Sequence, residues 1–283
     1  PLLLPAGHIP CLPTKGQMPL VDLNRSCRTD AQVHAICNWM SVLLPDVPEA
    51  ERAQRVESLN TALDGKGIRV YSVFRIQGHF CFRRHCLRRQ YHYLVPLWVF
   101  DTNATTRADS ATQCPEDASP FVGRLNAVLQ RYQGVNRFHN FTDLTKSSIT
   151  PDDNEAVRQI HQIQASESPV VVDGVHFLQV TIVGQSFILN QIRKMLGLAL
   201  AVLRGACTMD MMEQALSQDQ WLEVPMAPRS HLMLVRAVFD WYNKDKLRIK
   251  EGFPEVPSWY DGPCDEMQDR IMAEVARVEC TAS

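Results

Sequence analysis

Apolar and polar positions along this chain follow two periods, and each predicts its own elements. Strict alternation over residues 68–76 (IRVYSVFRI) predicts a strand. Residues 79–100 predict one or two more, with Tyr91, Tyr93 and Val95 on one face and His92 and Leu94 on the other. The stretches 157–166 and 175–184 (VHFLQVTIVG) read as strands, as does 232–242 (LMLVRAVFDWY). A short apolar run at 33–44 reads as a further strand. Helical spacing covers 48–64, with Pro48 at its start, Glu49 and Glu51 in its first turn, and Gly65 and Gly67 ending it. It returns over 120–132, which stops at Gly134, and over 210–216. It is strongest over 186–203, with Ser186 as N-cap and Gly205 as stop. Residues 1–26 are rich in proline and glycine and predict irregular chain.

The order of elements is α+β, without an internal repeat. Residues 101–119 are polar and nearly free of large apolar side chains, so they read as a linker or insertion. They divide an N-terminal half (1–100) from a C-terminal half (120–242), which is followed by an acidic tail (243–283).

Composition narrows the classes. The 283 residues suffice for one large domain or two ordinary ones, and 45% apolar with 21% charged residues is globular usage. That excludes wholesale disorder, collagen and coiled coil. Every apolar stretch approaching membrane length is interrupted by charge, as Phe187 to Leu203 is by Arg193 and Lys194. Nine scattered cysteines without a C-x-x-C pair fit reduced thiols better than a disulfide framework. The net charge of −2 hides an asymmetry: Lys66 to Tyr93 carries seven Lys/Arg and no Asp/Glu, whereas Glu251 to Ser283 carries eight Asp/Glu and two Arg.

Three places carry candidate chemistry. Leu189, Leu196, Leu200 and Leu203 make one apolar stripe on the 186–203 helix, and Arg193 lies beside it. Such an arginine either snorkels to the rim or is buried as the clamp of an anion. Asp30, two residues after Arg28, sits on a loop before an apolar run; it is either a turn aspartate or a held, ionised carboxylate. The segment from Phe80 to Tyr93 interleaves Arg83, Arg84, Arg88 and Arg89 with aromatic residues, which suits a solvated strand face or a surface gripping phosphates while a ring stacks on a base. His79, Cys81, His85 and Cys86 in the same stretch match no standard zinc spacing, and no metal is expected.

A resemblance connects these places. Arg28-Thr29-Asp30-Ala31-Gln32-Val33-His34-Ala35 resembles the R-T-D-x-G-V-x-A signature of the TruA family of tRNA pseudouridine synthases, with Gln32 at the signature glycine. Further motifs follow in the family's order. Leu59-Asn60 to Arg69-Val70 is similar to its LN-to-IRV segment, and Phe80, Cys86, Arg89, Tyr91 and Tyr93 to its strand ending R-x-Y-x-Y. Phe138 to Thr142 carries the HNFT of the eukaryotic branch. Gly184 to Phe187 with Gln191 to Met195 matches GQSF and QIRKM. Val224 to Pro228 with Leu232 and Leu234 resembles the closing segment, without its glycines. The likeness runs from about residue 27 to 242.

The resemblance implies the pseudouridine synthase fold: two related α+β halves joined in one long, mostly antiparallel sheet with a central basic cleft. Only 26 residues precede Cys27, so either the chain is a fragment or the N-terminal half is reduced at its start. It implies isomerisation of uridine to pseudouridine in a structured RNA, without a cofactor, on a uridine flipped from its stack. Asp30 would attack or stabilise the detached sugar, Arg28 and Arg193 would hold it ionised, and Tyr91 would stack on the uracil and assist proton transfer. Arg83, Arg84, Arg88, Arg89 and Lys194 would hold RNA. The RNA partner is tRNA before ribosomal RNA, the protein a monomer or homodimer, and the compartment the mitochondrion before the nucleus. The competing reading is a weak or inactive relative serving as an RNA-binding ribosome-assembly factor; Gln32 and the neutral net charge argue for it.

Overall fold

The computed structural model describes residues 24–42, 48–100, 119–143 and 145–281. Its centre is a seven-stranded sheet. The long strands β4 (Arg88–Pro96) and β8 (Val175–Gly184) pair antiparallel, with Tyr91 opposite Ile182 and Tyr93 opposite Val180. On one side β8 is followed by β6 (Val157–Ala165) and β5 (Gly134–Arg137), and the short β7 (Val170–Val172) pairs with the other end of β8. On the other side β4 pairs antiparallel with β9 (Leu232–Val238), and β9 carries β2 (His34–Ala35) as a short parallel edge. Asn24–Arg25 (β1) and Met40–Ser41 (β3) form a separate two-stranded ladder. Every pairing in the large sheet is antiparallel except β2–β9.

Both faces of the sheet are covered, which explains the apolar residues at both parities of β4. Tyr91, Tyr93 and Val95 join Ile160, Val180, Ile182 and Leu234 in a core under α3 (Ser119–Leu129), α4 (Gln191–Leu203) and α5 (Met209–Leu216). Leu94, Phe177, Met233 and Val235 face the other way, onto Phe80, Phe82 and α8 (Pro263–Thr281). Strand β9, from the C-terminal half, lies between β2 and β4 of the N-terminal half, so the two stretches share one core. The fold is α+β with a mostly antiparallel sheet, as expected. The interior of the 101–119 linker and most of residues 1–26 lie outside the described residues.

Four expectations change. Residues 68–76 run extended but pair with no strand among the described residues; Tyr71, Phe74 and Ile76 pack onto the second core, and the Tyr71 hydroxyl donates to Ile36 O at 2.8 Å. Alternation reports extended backbone with one buried face, and here the burial comes from aromatic packing. The 33–44 run is broken, with ladder pairs only at 34–35 and 40–41 and residues 43–47 outside the described set. The 79–100 stretch opens with a four-residue helix, α2 (Phe82–His85), before β4. The long C-terminal-half helix starts at Gln191 after a left-handed Asn190 (φ 64°), so Ser186 is not its N-cap.

The acidic tail also folds. The short helices α6 (Asp240–Asn243) and α7 (Lys246–Lys250) lead to α8, whose Ile271, Met272, Val275 and Ala276 are buried against the sheet. Their helical spacing puts them on one stripe and leaves the acids outward. Glu279 is the exception: buried, it accepts the Trp98 indole N–H at 2.7 Å and lies 2.9 Å from His231 Nε2.

Candidate active site

Asp30 opens a tight turn. Its carbonyl accepts Val33 N–H at 3.0 Å, and Gln32, at the turn's third position, has φ 68°. That sign of φ is why a glycine suits the position: an L side chain there costs roughly 1–2 kcal/mol. Both stems of the turn are tied down. Upstream, Ser26 Oγ donates to Asn38 Oδ1 at 2.7 Å and Asn38 Nδ2 to Cys27 O at 3.1 Å. Downstream, Ile36 N–H donates to Leu234 O at 2.8 Å. Asp30 is thus half-buried on a short, anchored loop beside the first core, and Arg28 is exposed.

Arg193 is buried, 5% exposed, which decides between the snorkelling and the clamped reading. Its Nε donates to Ala227 O at 3.0 Å and its Nη1 to Asn190 Oδ1 at 3.2 Å. The expected direct pairing with Asp30 is not made: no ion pair joins them among the described residues. The carboxylate acts on Arg193 through space. Burial and the Arg229 cation lower the guanidinium pKa, and Tyr93 and Asp30 raise it. The segment that takes Arg193's bond is itself pressed onto α4, where Ala227 N–H donates to Arg193 O at 3.0 Å and Pro228 O accepts the Tyr93 hydroxyl at 3.2 Å. Arg193 is therefore a buried cation without a carboxylate in contact, an arrangement that draws an anion toward it.

Tyr91 lies on the same face of β4, buried in one cluster with Cys27, with its ring edge-on to Phe187 at 5.3 Å. Burial pushes its phenol well above the usual range, so it stays protonated; burial also raises the Cys27 thiol.

These positions fall within a recognisable family. Residues 128–240 match the tRNA pseudouridine synthase family. The chain is 30% identical over 239 residues to human "Pseudouridylate synthase 1 homolog", a match covering 83% of this chain and 52% of the relative. It is 26% identical over 317 residues to "tRNA pseudouridine synthase 1" of Yarrowia lipolytica, covering 84% and 58%. With Saccharomyces cerevisiae "tRNA pseudouridine synthase 1" it shares 36% identity over 124 residues, 44% of this chain and 22% of the relative. Over residues 128–240 the chain has the domain of the tRNA pseudouridine synthase family, and most of its length is similar to these synthases. It spans about half the length of the human relative. The family match covers Arg193 and lies downstream of Asp30 and Tyr91.

Around this site the basic residues divide sharply. Arg83 and Arg84 are exposed, as expected of groups free to hold phosphate. Arg88 is occupied by Asp240 at 3.0 Å. Arg89 is a bracket: its guanidinium donates to the carbonyls of Ser26, Arg83 and Gln185, fastening the start of the Asp30 segment to the ends of β4 and β8. Lys194 is buried with its Nζ on Asn140 O at 3.3 Å, and burial lowers its pKa. Arg89 and Lys194 are therefore corrected as RNA-holding groups, because their donors are turned onto protein carbonyls, whereas Arg88 is half exposed with only its Nη2 on Asp240 among the described residues.

The HNFT motif is a knot of the fold. His139 to Thr142 are all buried, and Asn140 Nδ2 donates to Ala215 O and Gln220 O while its Oδ1 accepts Leu222 N–H. Three neighbours of the site went unread in the sequence. Cys27 and Phe187 sit inside motifs whose weight fell on other residues, and only packing shows them against Tyr91. Arg229 stands in the closing segment, exposed and close enough to depress Arg193's pKa; its signal was a cation in a segment where the family carries glycines. No metal-holding cluster occurs among the described residues, and no described helix is long and apolar enough to cross a membrane.

Proposed function

We propose that this chain is an RNA pseudouridine synthase, acting on a uridine of tRNA, with Asp30 as its catalytic carboxylate. The observation that carries this is the half-buried Asp30 turn held within electrostatic reach of the buried, carboxylate-free Arg193. The "tRNA" in the names of the fungal relatives supports the substrate.

The reaction breaks one bond and forms another in the same site. The N1–C1′ bond of the uridine opens, the uracil turns, C5 bonds to C1′, and the C5 proton is lost as N1 regains one. Asp30 presents its carboxylate to C1′ while the sugar is detached. Arg193 places a buried positive charge within electrostatic reach of Asp30, and the exposed Arg28, two residues before it, adds a second cation. Tyr91, protonated and walled by Phe187, gives the base an apolar surface with one hydroxyl for proton transfer. Arg229 adds positive charge at the mouth, suited to a phosphate next to the flipped nucleotide.

The test is pseudouridine mapping on RNA from cells carrying wild type, Asp30→Ala or Asp30→Asn. Defined sites should vanish in both variants, with the asparagine variant folding as wild type does. If the sites persist, Asp30 is not the catalytic group. If none exists even in wild type and the cells still need the protein, the assembly-factor reading replaces this one.

A further inference from the structure

At the N-terminal end of β4, next to the Asp30 segment, the exposed sides of two short helices meet. Trp241, on α6, is 52% exposed, and its ring stacks on His85 at 5.2 Å and 30°. His85 belongs to α2, whose Arg83 and Arg84 are exposed and in no ion pair among the described residues. Asp240, the acid nearest Trp241 in sequence, is occupied by Arg88. Partial burial together with Arg84 and His79 keeps the His85 ring neutral, so it serves Trp241 as a flat support. Exposed Leu87 lies beside them, its N–H on Val238 O at 2.9 Å. The surface therefore offers one broad π-face, a supporting ring and two unpaired guanidinium groups.

We infer that Trp241, backed by His85 and flanked by Arg83 and Arg84, is a stacking platform for an unpaired base of the RNA, outside the nucleotide-isomerising site. This rests on the proposed synthase reading for its substrate. Two observations favour RNA over a protein partner. The excess charge is positive and in no ion pair among the described residues, as phosphate contact requires, and the broadest exposed apolar group is a ring, with Leu87 beside it. Continuity with the site supports it too: Arg89 bonds both Arg83 O and Ser26 O, so the platform and the Asp30 segment share one bracket.

The experiment is equilibrium binding of an unmodified tRNA transcript to the full chain, read by tryptophan fluorescence and by filter retention. Trp241→Ala should weaken binding roughly tenfold, and Trp241→Phe, which keeps a ring, should recover most of that loss. RNA should quench wild-type fluorescence, and the quench should be largely absent in Trp241→Phe although RNA still binds. Arg83→Ala and Arg84→Ala should each lower the slope of log K against log salt by about 0.7–0.9. Wild-type affinity and an unchanged quench in the Trp241 variants overturn the platform, even where pseudouridine is still formed. Binding that depends on Trp241 in a chain that forms no pseudouridine sustains the platform and removes the synthase reading. Absence of any RNA binding removes both.

Discussion

Gln32 shows how much one side chain can weigh. The turn that presents Asp30 needs a left-handed residue at its third position, and this chain places a glutamine there at φ 68°. The side chain is exposed, so nothing repays the strain by packing. Gln32→Gly should therefore stabilise the protein by about 1 kcal/mol, read as a higher midpoint in urea with an unchanged slope. A lower midpoint would mean that the glutamine side chain contributes something the geometry does not reveal. Arg193 makes the complementary point. Its place beside an apolar stripe was visible in the residue spacing, but whether it snorkels or is buried depends on Ala227, which lies 34 residues away and supplies the carbonyl that lets the guanidinium remain inside.

At the scale of elements, α4 is held to the closing segment by a close backbone approach. A Cβ at Gly197 would meet Pro225 O at 2.3 Å and Ala227 N at 2.9 Å. In an isolated helix Gly→Ala gains about 1 kcal/mol; here the clash is with backbone that carries Arg193's hydrogen bond, and overpacking of this kind costs roughly 1–3 kcal/mol. Gly197→Ala should lower the melting temperature and reduce activity together, since displacing Ala227 frees Arg193. Unchanged melting and activity would show that the segment yields without disturbing the arginine. Helix and strand types in this region were legible from periodicity, but the expected stripe on the helix was not its buried face: Leu189 is exposed, whereas Ile192, Arg193, Met195 and Ala199 are buried. Strand pairing was not legible: 68–76 alternates as clearly as β8 does, yet its buried face rests on aromatic side chains outside the sheet.

At the scale of the whole molecule, the sheet separates two cores, and His92 faces the second. It is buried, its Nε2 lies 3.1 Å from Gln90 Nε2, and Gln90 also accepts Arg236 Nε at 2.9 Å. Burial, with Arg236 adding to it, lowers its pKa from 6.5 to about 4. The unfolded chain therefore binds a proton more readily than the folded one between those values. The stability tied to a neutral His92, roughly 3 kcal/mol, is complete above about pH 6.5 and lost as pH falls toward 4. Denaturation across that range should show this loss, and His92→Gln should flatten it. An equally steep profile in the variant would assign the acid sensitivity elsewhere.

The residue order by itself determined what depends on neighbours in sequence: helix and strand types, the motif order that marks the family, and the candidacy of Asp30, Tyr91 and Arg193. Tertiary structure alone decided what depends on distant partners. It turned Arg89 and Lys194 from apparent RNA contacts into braces, because a basic residue's availability depends on which carbonyls reach it first. It also turned an acidic tail into the second layer of the core, because one apolar stripe outweighs many solvated charges once a sheet face is there to receive it.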